Sequence, residues 1–78
     1  MRIRLTENPP IVGAKKQGIV WNAEFDVLAY QPRKRFHGGT IFYVMGIKGE
    51  KMGVLDRECE IIAGSIQDLR EVRGINEV

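Results

Sequence analysis

Phe25-Asp26-Val27-Leu28-Ala29-Tyr30-Gln31, then Pro32-Arg33-Lys34-Arg35-Phe36-His37-Gly38-Gly39, then Thr40-Ile41-Phe42-Tyr43-Val44-Met45-Gly46-Ile47: the reading of this stretch decides the fold class. The two flanks are rich in β-branched and aromatic residues, which fit a pleated, half-buried surface. The insert between them holds a proline, three consecutive cations and a glycine pair, the composition of a loop. The stretch therefore predicts a long β-hairpin whose tip is the most exposed and most charged feature of the chain. In the first flank, period two places Phe25, Val27 and Ala29 on one face, with Asp26, Leu28 and Tyr30 on the other. The second flank is apolar on both faces. That predicts a central strand covered on both sides, or one with a side open to a partner.

The regions outside this hairpin follow the same grammar. Arg2-Ile3-Arg4-Leu5-Thr6 alternates with period two and ends at Glu7-Asn8-Pro9-Pro10, because proline has no N–H for a ladder. Residues 9–18 read as a loop with Ile11 and Val12 folded back and Lys15-Lys16 at its polar tip. Gly18-Ile19-Val20-Trp21 reads as a second strand, separated from Phe25 by a bulge or turn at residues 22–24. After the hairpin, Lys48-Gly49-Glu50-Lys51 is a turn and Met52-Gly53-Val54-Leu55 a short strand. Asp56-Arg57-Glu58 is one tight helical turn, and Cys59-Glu60-Ile61-Ile62-Ala63 is a strand ended by Gly64. Ile66, Leu69 and Val72 then recur every three residues behind Ser65, with Gly74 as a stop. This predicts a short helix over residues 66–73 packed by its apolar stripe, and a frayed end over 75–78.

Seventy-eight residues make one domain, small enough to bury only about 60% of its unfolded surface. A hydrophobic fraction of 44% and a charged fraction of 28% are those of an ordinary globular domain. The one cysteine, Cys59, closes no intramolecular disulfide, and no apolar run follows Met1-Arg2-Ile3-Arg4 as a signal peptide would require. Residues 41–45, the longest apolar run, are too few to span a bilayer. The expectation is a cytoplasmic protein. The net charge of +2 hides an asymmetry: residues 1–37 carry seven cations against three acids, and residues 38–78 five against seven. Two readings stand, a polarised surface that attracts phosphate or an acidic partner and a solvated surface charged for solubility.

Five short strands, a long proline-bearing loop after the first and a tight turn before the last resemble an SH3-like barrel. Gly18-Ile19-Val20 resembles the glycine-led second strand of such barrels, and Val54-Leu55-Asp56-Arg57-Glu58-Cys59-Glu60-Ile61 is similar to their closing strand–turn–strand. The resemblance spans residues 2–63. Signalling SH3 domains hold proline-rich peptides between aromatics and an acidic first loop. Residues 9–18 contain neither, so that ligand is not carried over. Small bacterial and phage barrels are the better comparison, and they imply no single function. The expected architecture is mainly β: a small five-stranded SH3-like barrel over residues 1–64, with a short C-terminal helix and tail, residues 65–78, packed on it.

Chemistry is sparse. Nucleophilic catalysis needs a thiol or hydroxyl with a base, and Cys59 with His37 is the available pair. Cys59 lies in an apolar strand with Glu58 and Glu60 beside it, a setting expected to raise its pKa rather than activate it. One His and one Cys do not make a zinc site, and Asp56, Glu58 and Glu60 read as a solvated acidic turn. Gly46-Ile47-Lys48-Gly49 matches the GxxG of KH domains, but strands rather than helices flank it. No enzyme activity, metal or cofactor is expected. The candidate binding residues are Arg33, Lys34, Arg35, Phe36 and His37 of the loop, with Trp21 and Tyr30 as further aromatics and Lys15 and Lys16 as further cations. Two functions remain open. The first is a protein-interaction or assembly module with another protein as partner. The second is weak, sequence-tolerant nucleic-acid binding through the basic loop, by phosphate pairing and base stacking. Mixed charge and the two-sided apolar strand favour the first.

Overall fold

The computed structural model describes residues 1–33 and 39–78. Among these, the chain forms five strands: β1 (Arg2–Leu5), β2 (Glu24–Pro32), β3 (Thr40–Met45), β4 (Lys51–Leu55) and β5 (Cys59–Ala63). All strand pairings are antiparallel, in the order β4-β3-β2-β1-β5. The protein is mainly β, as its patterning predicts, and β2–β3 is the expected long hairpin. Its helical elements are single 3₁₀ turns at Lys15–Gln17, Asp56–Glu58, Ile66–Asp68 and Ile75–Glu77.

The expected closed barrel is an open sheet with β4 and β5 at its edges. The turn at Asp56–Glu58 carries the chain away from β4, and β5 ladders with β1 from Leu5↔Cys59 to Arg2↔Ala63. The sheet bends at β2, which is shared between two ladders. Its first residues, Glu24 to Asp26, pair with β1, and those from Val27 to Pro32 pair with β3.

At this bend the register shifts. Val27 pairs with Val44, and the next pair is Ala29 with Tyr43, so Leu28 is an extra residue on β2. A bulge of this kind turns every following side chain to the opposite face. Val27 belongs to the main core, whereas Ala29 packs on the far side of the sheet and Tyr30 returns to the main core. The expectation that Phe25, Val27 and Ala29 share a face is thereby corrected. Periodicity reads an unbroken strand, and a one-residue bulge leaves no compositional mark.

The main core gathers Ile3, Leu5, Ala14, Ile19, Val27, Phe42, Val44, Met52 and Val54. Ile3, Leu5, Ile19, Val44 and Val54 are almost completely buried, each stabilising the fold by roughly 1.5–3 kcal/mol as an upper figure. The second, smaller core on the other face of β2–β3 is Ala29, Tyr43 and Val72, with Ile41 and Val78 against it. Both faces of β3 are therefore covered, and the chain's own tail supplies the second cover. Gly53, opposite Tyr43, makes room for it: a Cβ there would lie 2.7 Å from Ile41 Cγ2.

That tail is not the expected helix over residues 66–73. Ile66–Asp68 is one 3₁₀ turn, in which the Ser65 N–H donates to Asp68 Oδ2 at 3.2 Å. The chain then extends along the edge of β2 that β1 leaves free. The Tyr30 N–H donates to the Arg70 carbonyl at 3.0 Å, and the Val72 N–H to the Tyr30 carbonyl at 2.8 Å. Spacing of three is not the 3.6 of an α-helix, and two backbone bonds to a sheet edge outweigh a weak helix propensity. The expected frayed end also differs, since Ile75–Glu77 forms a turn in contact with β4.

The expected strand at residues 18–21 is absent. Gly18, at φ 74°, caps the Lys15–Gln17 turn, and the Ile19 N–H donates to the Ala14 carbonyl at 2.9 Å. Asn22, at φ 69°, donates its N–H to Leu5 and turns the chain into β2. Two left-handed residues four positions apart leave no room for a strand between them. Gln17 holds this long loop to the sheet. Its carbonyl accepts the Ile47 N–H at 2.9 Å, and its buried side-chain Oε1 accepts those of Lys48 (3.1 Å) and Glu50 (3.3 Å).

Candidate interaction surface

The candidate surface lies at one end of β3, where the long loop over residues 6–23 meets the β3–β4 turn. Two consecutive prolines set the loop's path: Pro9 is buried and Pro10 exposed. Asn8 then ties the loop's two limbs together, its Oδ1 accepting the Trp21 N–H at 2.7 Å. Between the limbs lies a cleft of about 280 Å³ lined by Asn8, Pro9, Ile11, Lys15, Ile19 and Val20. Trp21 follows Val20 in sequence and has 64% of its surface exposed. Ile47, 74% exposed, rests on Gly18, where its Cγ2 would lie 3.0 Å from any added Cβ. Val12, at the loop's apex, is 99% exposed. Val12, Ile47 and Trp21, the three most exposed large hydrophobic residues among those described, thus share one end of a small domain, with Lys15 and Lys16 exposed beside them.

Arg33 stands at the opposite end of β3, at the base of the hairpin loop, where its N–H donates to the Gly39 carbonyl at 2.8 Å. Six residues of strand, on the order of 17 Å, separate the two ends. Lys15 and Lys16 therefore share their end with Trp21, while Arg33 shares its end with Tyr30. Tyr30 packs half-buried on the main core, and its hydroxyl lies 3.5 Å from Glu71. Lys34, Arg35, Phe36 and His37 lie outside the described residues. A second cleft of about 280 Å³, between Gln31, Pro32, Glu71, Val72 and Arg73, sits at the Arg33 end and presents charges of both signs.

Arg2 and Arg4 are engaged within the sheet. Hydrogen bonds from Arg2 to Asp26 (3.0 Å) and Glu24 (3.2 Å) raise its pKa, and Arg4 pairs with Glu60 across β1–β5. Pro9, Ile11 and Val20, which line the first cleft, are not among the candidate residues of the sequence reading. The signal available for them is the proline pair, which presents the residues after it on a preset backbone.

Cys59 is half-buried against the main core, and its thiol lies 3.5 Å from the Leu55 carbonyl it donates to. Burial first, then the Asp56 and Glu58 carboxylates, push its pKa from the ordinary 9.0 up to about 11. The direction follows the sequence expectation, and desolvation rather than neighbouring charge leads. An unfolded chain releases this proton earlier than the folded one, so stability is expected to fall as pH rises from 9.0 to about 11. Urea midpoints of the protein and of Cys59→Ala, at about pH 8 and about pH 10.5, check this. The gap between the two midpoints should move in favour of the variant at the higher pH, and a constant gap would contradict it.

Among the described residues no cluster of three or more His, Cys, Asp or Glu is placed to hold a metal ion. Nor is any helix among them long and apolar enough to cross a membrane. No family model, curated protein or solved structure matches this chain.

Proposed function

We propose that this chain is a non-catalytic protein-interaction module on an SH3-like scaffold, with its contact surface at the Trp21 end of the sheet. One observation carries this reading: a tryptophan with 64% of its surface exposed, next in sequence to a preformed cleft of mixed polar and aliphatic lining. Exposed aromatics at the rim of a pocket are the residues that dominate protein–protein contacts. The strand order β4-β3-β2-β1-β5 and the single 3₁₀ turn between β4 and β5 support the scaffold likeness. A thiol protonated at neutral pH supports a structural rather than nucleophilic Cys59.

Selection of short peptides from a random library on the immobilised protein tests this. Selected peptides are expected to bind with micromolar Kd, and Trp21→Ala to weaken them by roughly thirtyfold, the effect of losing a contact hot spot. The competing reading is nucleic-acid binding through Arg33, Lys34, Arg35, Phe36 and His37. It requires short labelled oligonucleotides to bind with a log–log salt slope of about −2 to −3. Oligonucleotide binding of that kind, together with an empty peptide selection, would replace the interaction reading.

A further inference from the structure

The cleft beside Trp21 has a chemistry narrower than "apolar". Four of its six lining residues, Pro9, Ile11, Ile19 and Val20, are aliphatic, and the Asn8 carboxamide oxygen is already taken by the Trp21 N–H. The charged residue of the lining is Lys15, with Lys16 next to it, both exposed. Among the described residues neither lysine has a carboxylate within ion-pair distance. The acids of the surrounding structure are engaged elsewhere: Glu24 and Asp26 by Arg2, Glu60 by Arg4, and Glu50 by the Gln17 side-chain amide at 3.3 Å. Glu7, exposed one residue before Asn8, forms no ion pair with either lysine. The cleft therefore offers aliphatic contacts at Ile11 and Val20 within a mixed lining, with an uncompensated cation at one side, and its volume lies at the small end for ligand sites.

We propose that this cleft takes an extended peptide segment of a partner protein in which an aliphatic side chain stands beside a carboxylate. The aliphatic group fills the space between Pro9, Ile11 and Val20, Trp21 closes over the segment, and Lys15 pairs with the acid. This rests on the interaction reading above and narrows its partner class. A phosphate backbone suits the cleft poorly. It gains nothing from the aliphatic contacts at Ile11 and Val20, and Arg33 stands at the opposite end of β3 from Lys15 and Lys16, so these cations form no continuous track along the sheet.

Trp21 is the one tryptophan of the chain, so its fluorescence reports on the site directly. The probes are capped peptides of Leu-Ser-Glu repeats, with Leu-Ser-Gln and Leu-Ser-Lys repeats as controls, and an oligothymidine of similar length. At low ionic strength the Glu peptide is expected to shift the emission and to bind about fivefold more tightly than the Gln peptide, the scale of one exposed ion pair. Lys15→Glu is expected to lose about five- to tenfold for the Glu peptide and to gain for the Lys peptide. Ile11→Ser should weaken all three alike. Lys15 is exposed, so an unchanged melting midpoint for Lys15→Glu is the folding control. Equal binding of the Glu and Gln peptides, unaffected by Lys15→Glu, would overturn the acidic class while leaving the interaction surface in place. Oligothymidine binding with no response to any peptide would overturn this proposal and the interaction reading together. Silence from every probe would overturn the proposal.

Discussion

Cutting the chain after Gly64 is expected to lower the melting midpoint by roughly 10 °C or more. Residues 65–78 are not an appendage. Val72, only 3% exposed, closes the second core over Ala29 and Tyr43, while Ile66 and Leu69 pack against the main core from outside. Gln31 adds a bond, its Nε2 donating to the Arg73 carbonyl at 2.7 Å, and its Oε1 accepts from the Tyr43 hydroxyl at 2.5 Å. Covering these side chains contributes several kcal/mol, at roughly 1.5–3 kcal/mol each as an upper figure, and the ordering entropy of the tail offsets much of it. A net loss of about 2–4 kcal/mol in a domain of this size corresponds to roughly 10–25 °C. Thermal unfolding followed by circular dichroism is the measurement. Val72→Ala, expected to lose about 2 kcal/mol, keeps the test independent of chain length. An unchanged midpoint in both would mean that the tail is not docked.

Gly46→Ala is expected to destabilise the fold by about 1–3 kcal/mol and to weaken peptide binding with it. A Cβ on Gly46 would stand 2.3 Å from Gln17 Oε1 and 2.4 Å from Gln17 Cβ, closer than any real contact. Gln17 cannot simply swing aside, because its Oε1 holds the Lys48 and Glu50 N–H groups of the turn. Moving it leaves those donors to water and loosens the loop that carries Lys15 and Trp21. Gln17→Ala should not rescue the variant, since its Cβ stays in the way, whereas Gln17→Gly in the Gly46→Ala background should recover part of the loss. Urea unfolding of the single and double variants gives the coupling directly. Purely additive losses for Gln17→Gly and Gly46→Ala would show that the two positions do not meet.

What could be read along the chain was whatever depends on neighbours in sequence. Period two in residues 2–6 marks β1, the β-branched and aromatic run over 40–45 marks β3, and Lys48-Gly49-Glu50-Lys51 marks a turn, because these are local signals. The Asp56–Glu58 turn was legible for the same reason: the Glu58 carboxylate reaches back three residues to the Leu55 N–H at 2.9 Å. Of the candidate site, Trp21, Lys15 and Lys16 were visible as residue types without a place for them, and Pro9, Ile11 and Val20 passed as ordinary loop and strand.

Local patterning is enough to specify a small, mainly β domain with strands at β1, the β2–β3 hairpin, β4 and β5, and one cysteine rules out an intramolecular disulfide. Tertiary structure decided the rest, each time through a partner distant along the chain. The bulge at Leu28 sends Ala29 to the second face because Tyr43 and Val72 are there to receive it. Residues 69–72 run extended rather than helical because β2 offers Tyr30 an unfilled edge. Residues 18–21 follow a Gln17 held to the turn at Ile47 to Glu50 rather than pairing in the sheet, and Ile19 and Val20 line a cleft there. Local patterning sets which conformations are inexpensive. Hydrogen bonds and burial between segments distant along the chain select among them, and no window of neighbouring residues contains those partners.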